Sequence, residues 1–160
     1  MDARPNRFLL VGAALSAVAA LLHVAIIFGG PDWYRFFGAG ERFAQLDAAG
    51  SRVPDLVTLG IAATLGLWSA YALSGAGRLR RLPVLRTALV AITAIYLARG
   101  LVIVPMLLSA DASRFTAFDW WSSAICLGYG LVHLVGLAQV WRRLSMPPAA
   151  AAHVPLEAGR

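Results

Sequence analysis

Lysine is missing from this sequence: all fourteen basic residues are arginine. Cysteine occurs once, as Cys126 inside an apolar stretch. That excludes an intrachain disulfide and a Cys-x-x-Cys redox pair, and a single buried cysteine behaves as a small hydrophobe. Charge is scarce, at 14% of residues, against about a quarter in soluble domains. There is no glycine-rich nucleotide loop, no Gly-x-Ser-x-Gly and no His-Glu-x-x-His, so no enzyme class is signalled by a motif. No convincing internal repeat is present. The net charge of +6 does not point to nucleic acid, because the arginines flank apolar segments instead of forming a stripe on a polar surface.

Long apolar runs fill most of the 160 residues, and 59% of the chain is hydrophobic. Four runs have the length a bilayer crossing needs: residues 8–29, 55–74, 83–108 and 120–141. The first is too long for the core of a cleaved signal, and Phe28-Gly29-Gly30-Pro31 is a poor cleavage site. The length allows one domain. The expected fold is all-α: a four-helix transmembrane bundle over residues 1–144, with residues 145–160 a Pro- and Ala-rich disordered tail. Between the first two spans, Trp33, Phe36, Phe37, Gly40, Phe43 and Ala44 follow i, i+3, i+4, i+7 spacing. That predicts a short interfacial amphipathic helix; Gly38 and Gly40 weaken it as a helix, so that a break or an inward dip is the alternative. Asp55 is placed to cap the second span. Pro105 predicts a kink near the end of the third.

The arginines sort by loop. The N-terminus, the second loop and the C-terminus carry nine of them, whereas the first and third loops carry Arg35, Arg42, Arg52 and Arg114. By the positive-inside bias both termini are expected in the cytoplasm. Trp33, Tyr34, Trp120 and Trp121 then form an outer aromatic belt. Six of the eight acids fall on the outer side.

The costly residue is Arg99, inside the third span. It cannot shed its proton, and a charge within the membrane must be paired, hydrated or able to snorkel. It lies about nine residues from the outer end of its span, near 13 Å at the helical rise. Glu41, Asp55 and Asp119 are the acids best placed to meet it, Glu41 only if the connecting helix dips inward. Arg99 is then either half of a buried ion pair that fixes helix register or the binding group for an anion. Tyr96, three residues earlier, shares its face.

His23 and His133 could ligate a haem iron from two helices. Their expected depths differ by roughly 10 Å, which argues against it. A metal site needs further ligands, and the sequence places none nearby, so no cofactor is expected. His23, Tyr96, Arg99, Tyr129 and His133 stand at staggered depths and could line one cavity as a ligand or proton path. Gly12, Ser16, Ala19 and His23 on the first span, and Ser122, Cys126, Tyr129, His133 and Gly136 on the fourth, form small or polar faces for close packing.

The stretch Leu21-Leu22-His23 through Phe36-Phe37-Gly38-Ala39-Gly40-Glu41, with Tyr96-Leu97-Ala98-Arg99-Gly100, resembles small uncharacterised four-span proteins of bacterial inner membranes. The resemblance implies a four-helix membrane fold in that membrane, and carries over no activity and no catalytic residue. Three functions stay open. The first is binding or transport of a small ligand through an outer-facing polar cavity near Arg99, His23 and Glu41. The second is an accessory or assembly role, in which the small-residue faces dock a second copy or a partner membrane protein. The third is a membrane enzyme acting on a lipid or quinone. Apart from such partners, the bilayer is the surrounding the chain is built for.

Overall fold

The computed structural model describes residues 5–109 and 111–145. The tail expected to be disordered lies outside the described residues from 146 onward. Within them the fold is all-helical, and four segments are long and apolar enough to cross a membrane: 23 residues at Arg7–Gly29, 24 at Val53–Ala76, 24 at Leu85–Leu108 and 29 at Ala117–Ser145.

Helix α1 (Arg7–Gly29) is capped by Asn6, whose side chain accepts the Leu9 N–H at 2.9 Å, filling one of the donors that a helix start leaves open. Gly30, at φ +69°, ends it. The connector to the second span holds two short helices, α2 (Pro31–Phe36) and α3 (Glu41–Ala48). The single amphipathic helix expected there is thus broken. Gly38 and Gly40 between the pieces take φ of +73° and +90°, a conformation that side chains other than glycine adopt only with strain.

Helix α4 (Val53–Ala76) carries Pro54 and Asp55 inside its first turn. Asp55 therefore complements the helix dipole and does not act as the cap. Gly77, at φ +85°, closes the helix in the left-handed manner. The third span is divided into α5 (Leu85–Leu101) and α6 (Ile103–Leu108). The break falls three residues before Pro105, whose ring has no N–H and crowds the carbonyl one turn back. After a short 3-10 turn at Ala112–Arg114 comes α7 (Ala117–Ser145). Its start is a capping box with Asp in place of the usual Glu: the Asp119 N–H donates to Thr116 Oγ1 at 3.2 Å and the Thr116 N–H donates to the Asp119 carboxylate at 2.9 Å.

The helices run up, down, up and down. α1 packs most extensively on α4, and α5 on α7, with α1–α7 and α4–α5 contacts joining the pairs. Two exchanges of leucine or histidine for glycine set the register of α7. A Cβ on Gly100 would meet the backbone of Leu127, and one on Gly130 would meet Leu97. Each helix of the α5–α7 pair thus presents a Leu-x-x-Gly unit to the other. The α1–α7 pair repeats the device: Leu9 fills the space over Gly136, and His133 the space over Gly12. Small residues let helix backbones approach where no hydrophobic drive separates helix from lipid. Two hydroxyls tie the bundle further. Ser69 donates to the Ala13 carbonyl at 2.8 Å, and Ser16 shares a 3.0 Å hydrogen bond with Tyr96.

At the terminal end, where the described residues begin at 5 and finish at 145, Leu9, Leu85, Leu89, Leu137 and Leu144 form a buried cluster. Asn6 joins Gln139 at 2.7 Å, Arg81 and Arg143 donate to carbonyls of Leu144 and Gly75, and Arg86 lies 3.9 Å over the Trp141 ring. Arg81 and Arg143 thereby complement the C-terminal ends of α7 and α4. The far end is different in kind. There Ile26, Tyr34 and Ala44 make a small separate core under α2 and α3, and the helix bundle opens.

Candidate functional site

Between α1, α5 and α7, towards the far end, lies a cavity of about 310 Å³. α1 contributes Val18, Leu22 and His23, α5 contributes Tyr96 and Arg99, and α7 contributes Trp121, Ser122, Cys126 and Tyr129. Four of the seven expected site residues (His23, Tyr96, Arg99, Tyr129) therefore meet in one place. The lining is chiefly aromatic and aliphatic, more apolar than the staggered polar side chains suggest.

Arg99 is where the sequence reading needs correction. As half of a buried ion pair it is expected to meet Glu41, Asp55 or Asp119. In the structure the residue is exposed, and its guanidinium donates to Ser123 Oγ at 2.9 Å and Ser122 Oγ at 3.1 Å. The three salt bridges among the described residues all lie elsewhere. The reason is competition at short range. Arg35 sits six positions before Glu41 across the Gly38–Gly40 break and takes its carboxylate with two hydrogen bonds, at 2.8 and 3.1 Å. Such a two-point pair is geometrically favoured over a single distant contact. Asp55 accepts the Tyr34 hydroxyl at 3.2 Å. Asp119 lies within electrostatic range of Arg99, yet its carboxylate is engaged by Thr116.

The guanidinium also snorkels. Leu127 faces Gly100 and Gly130 faces Leu97, so position 128 is level with Arg99. Ser123 is five residues nearer the far end, roughly 7 Å at the helical rise. The side chain leans that distance out of the apolar layer. A stability prediction follows from these partners. Arg99→Leu combined with Glu41→Gln or Asp55→Asn should show no coupling, whereas the cycle with Ser122→Ala/Ser123→Ala should show about 1 kcal/mol. Unfolding of the purified variants in mixed micelles measures both.

The histidines separate. A carbonyl can only accept, so the 2.8 Å contact from His23 Nδ1 to the Ala19 carbonyl puts the proton on Nδ1. The His23 ring borders the Arg99 cavity and a second, smaller one under α2 and α3, which leaves Nε2 to act as an acceptor there. His133 is fully buried. Its Nδ1 donates to the Tyr129 carbonyl at 2.9 Å, and its Nε2 has no partner. The ring is pressed against Gly12 and lies 5.2 Å from the Tyr96 ring, behind the cavity wall and not on it. No group of three or more potential metal ligands occurs among the described residues.

Glu41 and Asp55, also expected at the site, lie outside this cavity. Glu41 borders a wider cleft of about 600 Å³ at the far end with Arg35, Thr116 and Asp119. The Arg35 hydrogen bond holds the Glu41 carboxyl below its ordinary value of 4.5. A carboxyl depressed on folding stabilises above its unfolded value and loses that contribution as the pH falls through the folded one. The α2–α3 link is therefore weakened only in acid. Burial, with Asp55 adding to it, raises the Tyr34 phenol, which stays protonated and donating at neutral pH.

Sequence reasoning did not identify Phe37, Phe118, Trp121 or Ser123 as site residues. The adjacent Ser122-Ser123 pair at the start of an apolar run was the available signal, because hydroxyls there need a reason. The aromatic wall carried no such signal, since aromatics at a span's end read as an interfacial belt. Comparison with known proteins gave no match: no family model, no curated protein and no solved structure is significantly similar to the chain.

Proposed function

We propose that the protein binds or carries a small ligand bearing an acidic group, a carboxylate or a phosphate, in the cavity beside Arg99. The observation that supports this reading is a guanidinium whose hydrogen-bond partners are two neutral serine hydroxyls, at the edge of a mostly apolar cavity. A charge within a membrane span is a functional candidate by default. Two hydroxyls orient the fork without neutralising it, and a planar fork suits a carboxylate or phosphate. Tyr129, on the same lining, carries a hydroxyl that could donate to the acid as a secondary contact. The volume is at the small end of the range for ligand sites, about 300–1,000 Å³.

The test is thermal unfolding in a neutral detergent against a panel of carboxylates and alkyl phosphates, with alcohols and amides of equal length as controls. At a hundredfold excess over the dissociation constant, an acid that binds should stabilise the fold by about 2.7 kcal/mol. Arg99→Gln should remove that gain while lowering the unliganded stability by no more than about 1 kcal/mol, the worth of the serine hydrogen bonds. If no acid of any chain length stabilises in an Arg99-dependent way, the reading fails.

The proposed setting is a bacterial inner membrane with the arginine-rich terminal end in the cytoplasm, and the cavity in the outer half of the membrane. Among the described residues every acid lies at the far end, and seven arginines at the terminal end. Reporter fusions at Arg81 and Ser113 should report opposite sides, with Arg81 inside. An outside signal at Arg81 would invert the cavity's orientation. The second reading, docking of a partner helix, draws on Gly60 and Gly66 of α4, which have open space beside them.

A further inference from the structure

The way α1 and α7 meet is uneven along their length. At the terminal end they are in close contact, Leu9 over Gly136 and His133 over Gly12. Further along, Val18 and Leu22 of α1 and Ile125 of α7 line the cavity. All three are turned outward as well: Val18 is 60% exposed, Leu22 39% and Ile125 42%. The cavity therefore has an apolar mouth on the side of the bundle, at the level of the membrane-spanning segments.

The route to the aqueous cleft at the far end is built differently. Phe118 and Trp121 line both the cleft and the cavity and stand between them. Their rings are 6.0 Å apart at 75°, and the Phe118 ring is pressed onto the Gly38 turn so closely that a Cβ there would collide with it. Phe37 closes the adjoining side, where it lines both the Arg99 cavity and the small one beneath α2 and α3. The inner wall is aromatic too, with Tyr96 and Tyr129 at 5.4 Å and His133 behind.

Resting on the proposed function above, we infer that the ligand is a single-chain lipid with an acidic head group, and that it enters sideways from the bilayer between α1 and α7. The head group would meet Arg99 and Ser122, and the acyl chain would leave through the mouth between Val18, Leu22 and Ile125. Charge complementarity selects the head, because the cavity lining offers one cation and neutral hydroxyls, while the nearby Asp119 carboxylate lies outside that lining and is held by Thr116. The apolar mouth selects the chain, because an alkyl tail gains by staying in contact with apolar surface and lipid. The small volume suits one chain better than two.

The experiment uses the full chain in phosphatidylcholine vesicles doped with a hexadecanoic acid that carries a diazirine on a carbon close to its carboxyl group, and in parallel with the matching alcohol. After irradiation, labelled peptides are mapped by mass spectrometry. The acid should label the segments 18–26 and 121–129 preferentially, with labelling about tenfold lower for the alcohol and in Arg99→Gln. Val18→Trp, at an exposed position, fills the mouth without touching the core and should lower labelling by a similar factor. Labelling spread evenly over all lipid-facing helices, or unchanged in Val18→Trp, overturns lateral entry. Equal Arg99-dependent stabilisation by butyrate and by hexadecanoate also overturns it, while leaving the binding function standing. Loss of every Arg99-dependent response removes the function itself, and the inference with it.

Discussion

Gly100→Leu should destabilise the protein by about 3 kcal/mol or more, the largest effect expected of any single substitution outside the hydrophobic clusters. The reason is what a side chain at that position would strike. A Cβ on Gly100 lies 2.8 Å from Leu127 Cβ and closer still to the Leu127 backbone. A flexible side-chain tip could swing aside, but a helix backbone cannot, so α5 and α7 would have to separate. Separation would also withdraw Ser122 and Ser123 from Arg99, so the acid-dependent stabilisation should disappear together with the fold's margin. Gly128 is the control. It lies on the same helix pair with open space beside it, and Gly128→Leu should stay within about 0.5 kcal/mol of the parent. Titration with a denaturing detergent in mixed micelles reads both. If the two glycines respond alike, close approach of α5 and α7 is not what Gly100 provides.

His133 and Gly12 should behave as a coupled pair. His133→Ala is expected to cost about 2–4 kcal/mol, because it empties a fully buried ring site against Gly12 and Tyr96. Gly12→Ala alone places a methyl 2.8 Å from His133 Cε1 and 3.0 Å from its Nε2. That overpacking is expected to cost about 1–3 kcal/mol, offset in part by the better helix propensity of alanine, about 1 kcal/mol. In the His133→Ala background the same methyl has room, so Gly12→Ala should be neutral or stabilising. The interaction energy should therefore be at least about 1 kcal/mol. A cycle that closes to zero would mean that the imidazole and Gly12 are not in contact. The unpaired Nε2 adds a second readout. His133→Gln, which offers both donors and acceptors, should fare worse than a purely apolar ring would, because it adds unpartnered polar atoms to a buried site.

How far the site was legible from the sequence differs residue by residue. Arg99 stands out in any reading, because a permanent charge in an apolar run has no cheap explanation. Tyr96 could be grouped with it by helical face, and His23 and Tyr129 as side chains at staggered depths that one cavity could join, and the structure does gather them around one cavity. His133 could not be separated from that group by spacing. It lies on the same stripe of α7 as Tyr129, yet its ring turns against Gly12 of α1, and only the position of α1 decides which side is cavity and which is core. Glu41 and Asp55 were placed by depth alone, and depth says nothing of a nearer competitor such as Arg35 or Tyr34.

The four apolar segments and the interruption before Pro105 follow from the sequence alone, and Gly38 and Gly40 admit a break without requiring one. Each rests on a local quantity: the length of an apolar run, a positive φ that glycine allows, a missing N–H. Tertiary structure alone decided the partners of Arg99 and the existence of the cavity. Those depend on which helices are neighbours and in what register. The register comes from Leu97 and Gly100 meeting Gly130 and Leu127, and from Leu9 and Gly12 meeting Gly136 and His133. These exchanges bind α7 to α5 and α1 and bring Arg99 within reach of two serines. Towards the far end, residues of α1 and α7 line the cavity that Arg99 borders.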